Sequence, residues 1–156
     1  MKSSGTGGRR ALWRRRWPDH PALRAQATLD VPFQDADPTG VAWHGNYFRY
    51  YETARSALLD KLGFSYRHLG AQGQLWPIVD TRVRFRKSIP YGDSITVSAQ
   101  LVEWEFRLKI YYEIRRLDGE LANEAFTVQV PVDAASEELI VGMPRFLRNR
   151  IAEVVG

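Results

Sequence analysis

DADPTGVAWHGNYFRYYETARSALLDKLG, residues 35–63, is the stretch on which the fold turns. Its second half has a helical period: Tyr47, Tyr51, Ala54, Leu58 and Leu62 recur at steps of four and three and so share one stripe. Arg49, Glu52, Ser56, Asp60 and Lys61 fall largely elsewhere around the helix, and Gly63 suits the C′ position that stops it. The first half is a polar loop. Asp37 precedes Pro38 and is pushed towards extended backbone, while Gly40 permits a turn that other residues resist. The chain is therefore expected to double back before the helix, with Asn46 as N-cap and Tyr47 as the first helical residue.

On either side of this helix the period is two. Residues 25–34 read as a first strand. In TRVRFRK, Val83 and Phe85 alternate with Arg82, Arg84 and Arg86. Pro90 to Asp93 form a turn. Ile95, Val97, Ala99 and Leu101 share one face, as do Phe106, Leu108, Ile110, Tyr112 and Ile114, and then Phe126, Val128 and Val130. Asp118-Gly119 has hairpin-turn chemistry, and residues 144–154 suit a short terminal helix. Alternating strands belong to an antiparallel sheet with one buried face, and a single long helix is available to cover it. The expectation is an α+β domain, a curved meander wrapped around a central helix. One helix covers a broad sheet poorly, so a second copy of the chain is expected to pair with it.

With 156 residues, 44% of them hydrophobic and 26% charged, the chain suits one domain with a real core. No apolar run approaches the roughly 20 residues of a membrane span. The absence of cysteine excludes disulfides, thiolate catalysis and Cys-based zinc sites, and fits a reducing, cytoplasmic setting. The net charge of +4 is unevenly spread: residues 1–24 hold seven bases against Asp19 alone, whereas the remainder holds fifteen bases and seventeen acids. Residues 1–24 are expected to form a disordered basic extension, and residues 25–156 a single domain. The Arg/Trp mixture around Trp13 and Trp17 suits contact with anionic lipid or nucleic acid, but termini are usually loose, and no nucleic-acid partner is expected.

The loop has chemical content. The first N–H groups of a helix point outward and carry roughly half a positive charge. A loop carboxylate beside them would pair a group able to attack or activate water with one able to hold an oxyanion. Against this, Asp near Pro and Gly is common in turns, and a lone histidine such as His44 is usually structural. The acids lack partners at metal-ligand spacing.

The stretch QDADPTGVAWHGNYFRYYETARSALLDKLG resembles the signature of hotdog-fold acyl-CoA thioesterases of the 4-hydroxybenzoyl-CoA thioesterase type, and WPIVDTRVRFRKSIPYGD extends the likeness. The resemblance covers most of residues 27–132. It implies a hotdog fold, homodimers or homotetramers with sites at the dimer interface, and no cofactor. It makes Asp37 the catalytic carboxylate and Asp35 a less critical acid. At His44 it points to the backbone N–H as the group that polarises the thioester carbonyl, and it makes Asn46 and Tyr47 residues that shape the helix entrance.

On that reading the reaction is hydrolysis of an acyl-CoA or acyl-carrier-protein thioester, with Asp37 as nucleophile or general base. Trp43, Tyr47 and Trp76 are candidates for the acyl pocket. Arg86, Lys87, Arg107 and Lys109 are candidates for the carrier's phosphates, although alternating charges usually mark a solvated face. The Arg82–Arg84–Arg86 row could instead receive an acidic carrier protein. The rivals are a hotdog dehydratase or hydratase, for which no second histidine lies near the helix start, and a non-catalytic acyl-thioester-binding protein.

Overall fold

The computed structural model describes residues 20–156. The expectations for residues 1–19 lie outside the described residues. Pro21–Leu23 form a 3-10 turn, and Leu23 is fully buried.

Strand β1 (Arg24–Asp30) leads through the polar loop into helix α1 (Tyr47–Leu62). Helix α2 (Tyr66–Ala71), the short strand β2 (Gln74–Leu75) and strand β3 (Ile78–Phe85) follow. Strands β4 (Ser94–Glu103), β5 (Leu108–Arg116) and β6 (Leu121–Gln129) come next, then β7 (Val132–Asp133) and helix α3 (Arg145–Val155). The main sheet is antiparallel with order β1-β4-β5-β6-β3, and β2 pairs with β7. The expected meander is β4-β5-β6. Strand β3 precedes β4 in sequence but lies at the far edge, paired among the described residues with β6 alone.

The helical stripe is buried as its period requires: Tyr47, Tyr51, Ala54, Leu58 and Leu62 face inward, together with Tyr50, Arg55 and Leu59. They meet Ile95, Val97, Ala99 and Leu101 of β4 and Ile110, Tyr112 and Ile114 of β5 in one core. Burying a leucine such as Leu58 contributes about 1.5–3 kcal/mol. Register shifts at Leu101/Glu103, Ile114/Arg115 and Ile78/Asp80 supply the bulges with which a sheet curves.

The helix is anchored at its C-terminal end. Gly63 adopts φ 83°, the left-handed backbone that glycine tolerates best, and its N–H and that of Phe64 donate to Leu59 O. Arg150 Nε donates to Leu62 O at 2.7 Å, and Lys61 Nζ donates to Arg24 O at 2.7 Å. These cations complement the negative end of the helix. The other end faces the polar loop.

Candidate active site

Residues 35–43 form a miniature hairpin. Trp43 N–H donates to Asp35 O at 2.9 Å, Ala36 bridges Ala42, and Asp37 N–H donates to Val41 O at 2.8 Å. The turn at its tip needs Gly40 at φ 85°, which is the freedom expected of that glycine. A further pair of bonds, Ala42 N–H to Ile89 O at 2.6 Å and Tyr91 N–H to Gly40 O at 3.1 Å, ties the hairpin to the turn before β4. The chain thus doubles back and delivers Asp37 beside the residues that start the helix.

Helix α1 begins at Tyr47, as expected, but its approach is already helical. His44–Asn46 form a 3-10 turn that runs directly into α1, and Asn46 already has helical backbone. Asn46 therefore makes no side-chain cap. Its Nδ2 donates to Asp35 O at 2.9 Å and its Oδ1 accepts from Arg49 at 2.8 Å, so it ties the hairpin to the helix. Among the described residues, the N–H groups of His44 and Gly45 donate to no carbonyl. These are the outward-pointing donors that a helix start leaves over.

The two aspartates differ in their surroundings. Asp35 is 3% exposed and accepts from Arg49 at 2.6 Å and from the Tyr50 hydroxyl at 2.8 Å. Asp37 is partly exposed. Its Oδ1 accepts from Thr39 Oγ1 at 2.5 Å and from Thr39 N–H at 2.8 Å. The Thr39 hydroxyl and N–H hold its carboxyl below the ordinary carboxylate range, helped by the Val41 N–H and by the His44 charge. Burial pushes the Tyr47 hydroxyl up, and the Asp37 charge pushes it further. The Asp37 charge is thus felt at Tyr47, and that of His44 at Asp37, on the first turns of the helix.

Aromatic rings line this place. Trp43 is 51% exposed, with its ring centroid 5.1 Å from that of His44. Phe85, 57% exposed at the end of β3, stands 6.4 Å from His44 and 5.2 Å from Tyr47.

Of the residues expected from sequence, Asp37, Gly40, Trp43, His44, Asn46 and Tyr47 are brought together. Trp76 and Arg107 are not, within one chain. The β3 register runs from Ile78 opposite Gln129 to Phe85 opposite Asn123. Phe85 meets His44, whereas Trp76 lies beyond the other end, with its carbonyl accepting from Gln129 at 2.7 Å. Arg107 precedes Leu108, which also pairs with Gln129, and it binds Glu103 at 2.8 Å. Among the phosphate candidates, Arg86 is bonded to the buried Glu124 at 2.9 Å, and Lys109 lies 4.3 Å from the Phe126 ring centroid. Lys87 is exposed, two residues beyond Phe85.

Sequence reading passed over Thr39, Phe85 and the pair Arg49 and Tyr50. Thr39 was findable, since a Thr two residues after an Asp in a turn is a bonding partner for that Asp. Phe85 was read only as a core-facing strand residue. Among the described residues, no group of three or more His, Asp or Glu could hold a metal ion, and no helix is long and apolar enough to cross a membrane.

A long helix entered through a polar hairpin and wrapped by an antiparallel sheet is the hotdog fold. The model of the thioesterase-like superfamily matches residues 31–151, and the chain belongs to that family. It is 30% identical over 109 residues to "Putative acyl-CoA thioesterase YneP" of Bacillus subtilis, spanning 69% of this chain and 79% of that protein. Among solved structures it is similar to the DHNA-CoA thioesterase of Staphylococcus aureus, at 30% identity and TM-score 0.72, covering 76% and 80% of the two chains. A 4-hydroxybenzoyl-CoA thioesterase mutant complexed with 4-hydroxybenzoyl-CoA shares the fold at 21% identity and TM-score 0.72, covering 82% and 98%.

Proposed function

We propose that the protein hydrolyses an acyl thioester of coenzyme A or of an acyl carrier protein, giving the free acid and the thiol. Asp37 is the nucleophile or general base, and the His44 N–H is the oxyanion donor. What supports this reading is the hairpin that returns the chain from Asp37 to the helix start, where the Asp37 charge is felt at Tyr47 and the His44 and Gly45 N–H groups have no acceptor among the described residues.

As nucleophile, a carboxylate oxygen of Asp37 adds to the thioester carbon. The tetrahedral oxyanion collapses with loss of thiolate, which takes up a proton, and water then hydrolyses the mixed anhydride. As base, Asp37 takes a proton from the water that adds to the same carbon. Both routes consume one water and no cofactor. The N–H of His44 stabilises the developing oxyanion, a contribution of roughly 3 kcal/mol for one such donor. Gly40 shapes the turn, Asn46 ties the hairpin to the helix, and Trp43, Tyr47 and Phe85 offer the acyl group an aromatic surface. Lys87 is the phosphate contact best situated at this end of the sheet.

The active form is a homodimer or homotetramer. Strand β3 supports this reading, because among the described residues it has one neighbour and an unpaired outer edge, and it exposes Ile78, Val79 and Phe85. The cysteine-free sequence suits the cytoplasm. The test is release of free thiol from a panel of acyl-CoA and acyl-carrier-protein thioesters. Turnover of one carrier class identifies the substrate, and no turnover of any thioester leaves an acyl-binding protein in place of an enzyme.

A further inference from the structure

The middle of the sheet is buried on both faces. Ile110, Tyr112 and Ile114 of β5 belong to the core beneath α1, so Tyr111 and Glu113 between them point to the other face. There Tyr111 pairs across the strands with Gln100 and Phe126, and Glu113 with Glu124. Gln100, Tyr111, Glu113 and Glu124 are all buried, and Val102 and Tyr111 form a second apolar cluster with Phe126 packed against it. The helices make their principal contacts elsewhere: α1 with β1 and β4, α2 with β2, and α3 with α1 and the Pro21–Leu23 turn. The edges of this outer face are open, since Gln26, Thr28 and Asp30 of β1 and Asp80 and Arg82 of β3 are exposed. Along β4 the outward residues Ser94, Thr96 and Ser98 are half-buried, and only Gln100 and Val102 are buried. An antiparallel sheet with one face in water alternates between buried and exposed residues, so this patch has a cover. It sits at the end of β4 where the described chain begins: the His20 ring stands 6.5 Å from that of Trp104, two residues beyond Val102.

We infer that residues 12–17 of this chain, LWRRRW, fold back over the patch and lay Trp13 and Trp17 on Val102, Tyr111 and Phe126. Reach permits it. Neighbouring strands lie about 4.8 Å apart, so the span from β1 to β6 is about 14 Å. Trp17 precedes His20 by three residues and extends about 10 Å from it, and Trp13, seven residues before His20, about 24 Å. The chemistry suits it too. The patch is aromatic and rimmed by Arg82, Arg84 and Lys109, and such cations stack on aromatic faces, as Lys109 does over the Phe126 ring at 4.3 Å. The segment is then a strap that keeps an aromatic face from other proteins, in place of the loose extension that its composition suggests. This role does not depend on the proposed reaction.

Two experiments on the full chain test it. In wild type, through-space NMR contacts are expected from the Trp13 and Trp17 rings to the rings of Tyr111 and Phe126. When isotope-enriched and plain chains are mixed, these contacts should stay within the enriched chain. Their absence overturns the inference, and contacts that run between chains overturn it too, because a second copy is then the occupant. In the second experiment, wild type and Trp13→Ala/Trp17→Ala are oxidised by hydroxyl radicals and read residue by residue by mass spectrometry. Tyr111 and Phe126 should oxidise several-fold faster in the variant. The fully buried Tyr112 should stay protected, which shows that the variant is folded, and the exposed Phe33 should keep its rate. Equal oxidation of Tyr111 and Phe126 in the two proteins would show that neighbouring side chains suffice as cover, and overturns the strap. A variant that loses protection at Tyr112 is unfolded, and the NMR contacts then decide alone.

Discussion

Asp35 and Asp37 stand two residues apart in one small hairpin and are held by opposite means. Arg49 and the Tyr50 hydroxyl grip Asp35 beneath the helix, whereas Asp37 keeps its partly exposed carboxylate in place chiefly through the hydroxyl and N–H of Thr39. The first aspartate fastens the loop to the helix, and the second carries the catalytic role proposed above.

Asp35→Ala should therefore act on stability. The buried Tyr50 hydroxyl would lose its acceptor and Arg49 its ion pair, a cost of about 1–3 kcal/mol. Urea unfolding should show a lower midpoint with an unchanged slope. A variant as stable as wild type would remove Asp35 from this role.

Thr39 should set the acid limb of the pH profile. Its hydroxyl and N–H stabilise ionised Asp37 and hold its carboxyl low. The ionised form therefore persists as pH falls below the ordinary value of about 3.9 and is lost only on passing the lowered folded value. Thr39→Val keeps the N–H bond and removes the hydroxyl. The acid limb of kcat/KM should then move upward, towards the ordinary carboxylate range. An acid limb that stays where it was, or moves down, would contradict the assignment of that limb to Asp37.

Tyr51 and Asn123 should show coupled stabilities. The Tyr51 hydroxyl donates to Asn123 Oδ1 across the fully buried helix–sheet interface, and Asn123 Nδ2 has no hydrogen-bond partner among the described residues. Tyr51→Phe strands the Asn123 oxygen, and Asn123→Leu strands the Tyr51 hydroxyl, each at about 1–3 kcal/mol. Making both changes should cost less than the sum, because neither polar group remains to be satisfied. Strict additivity in thermal unfolding would show that the bond contributes nothing.

The parts of this fold that were legible from sequence depend on local period. Tyr47, Tyr51, Ala54, Leu58 and Leu62 form a stripe whatever they pack against, and Gly63 stops the helix by its own backbone freedom. The Asp118-Gly119 turn was similarly local, with Gly119 at φ 86° and Asp118 accepting from Glu120 N–H at 2.9 Å. Strand order was not legible, because nothing in the alternation of Val83 and Phe85 says that β3 will pair with β6 rather than β4. The same long-range fact separates Trp76 from the helix start: it is set by which end of β3 reaches His44. Glu124, fully buried with Arg86 and Tyr111 as partners, shows why charges alternating along a strand were a poor guide to the solvated face. Around the site, the residue types in the loop pointed to Asp37, but the role of Asn46 followed from a 3-10 turn that capping preferences do not foresee.

The most direct measurement is thiol release by Asp37→Asn against wild type on the best substrate of the panel, with melting temperature as control. Asparagine keeps the size of the side chain and an oxygen for Thr39 but cannot attack or take a proton. The account predicts a rate at least about 100-fold lower with little change in melting. Hydrolysis within a few-fold of wild type by a folded Asp37→Asn protein would contradict it.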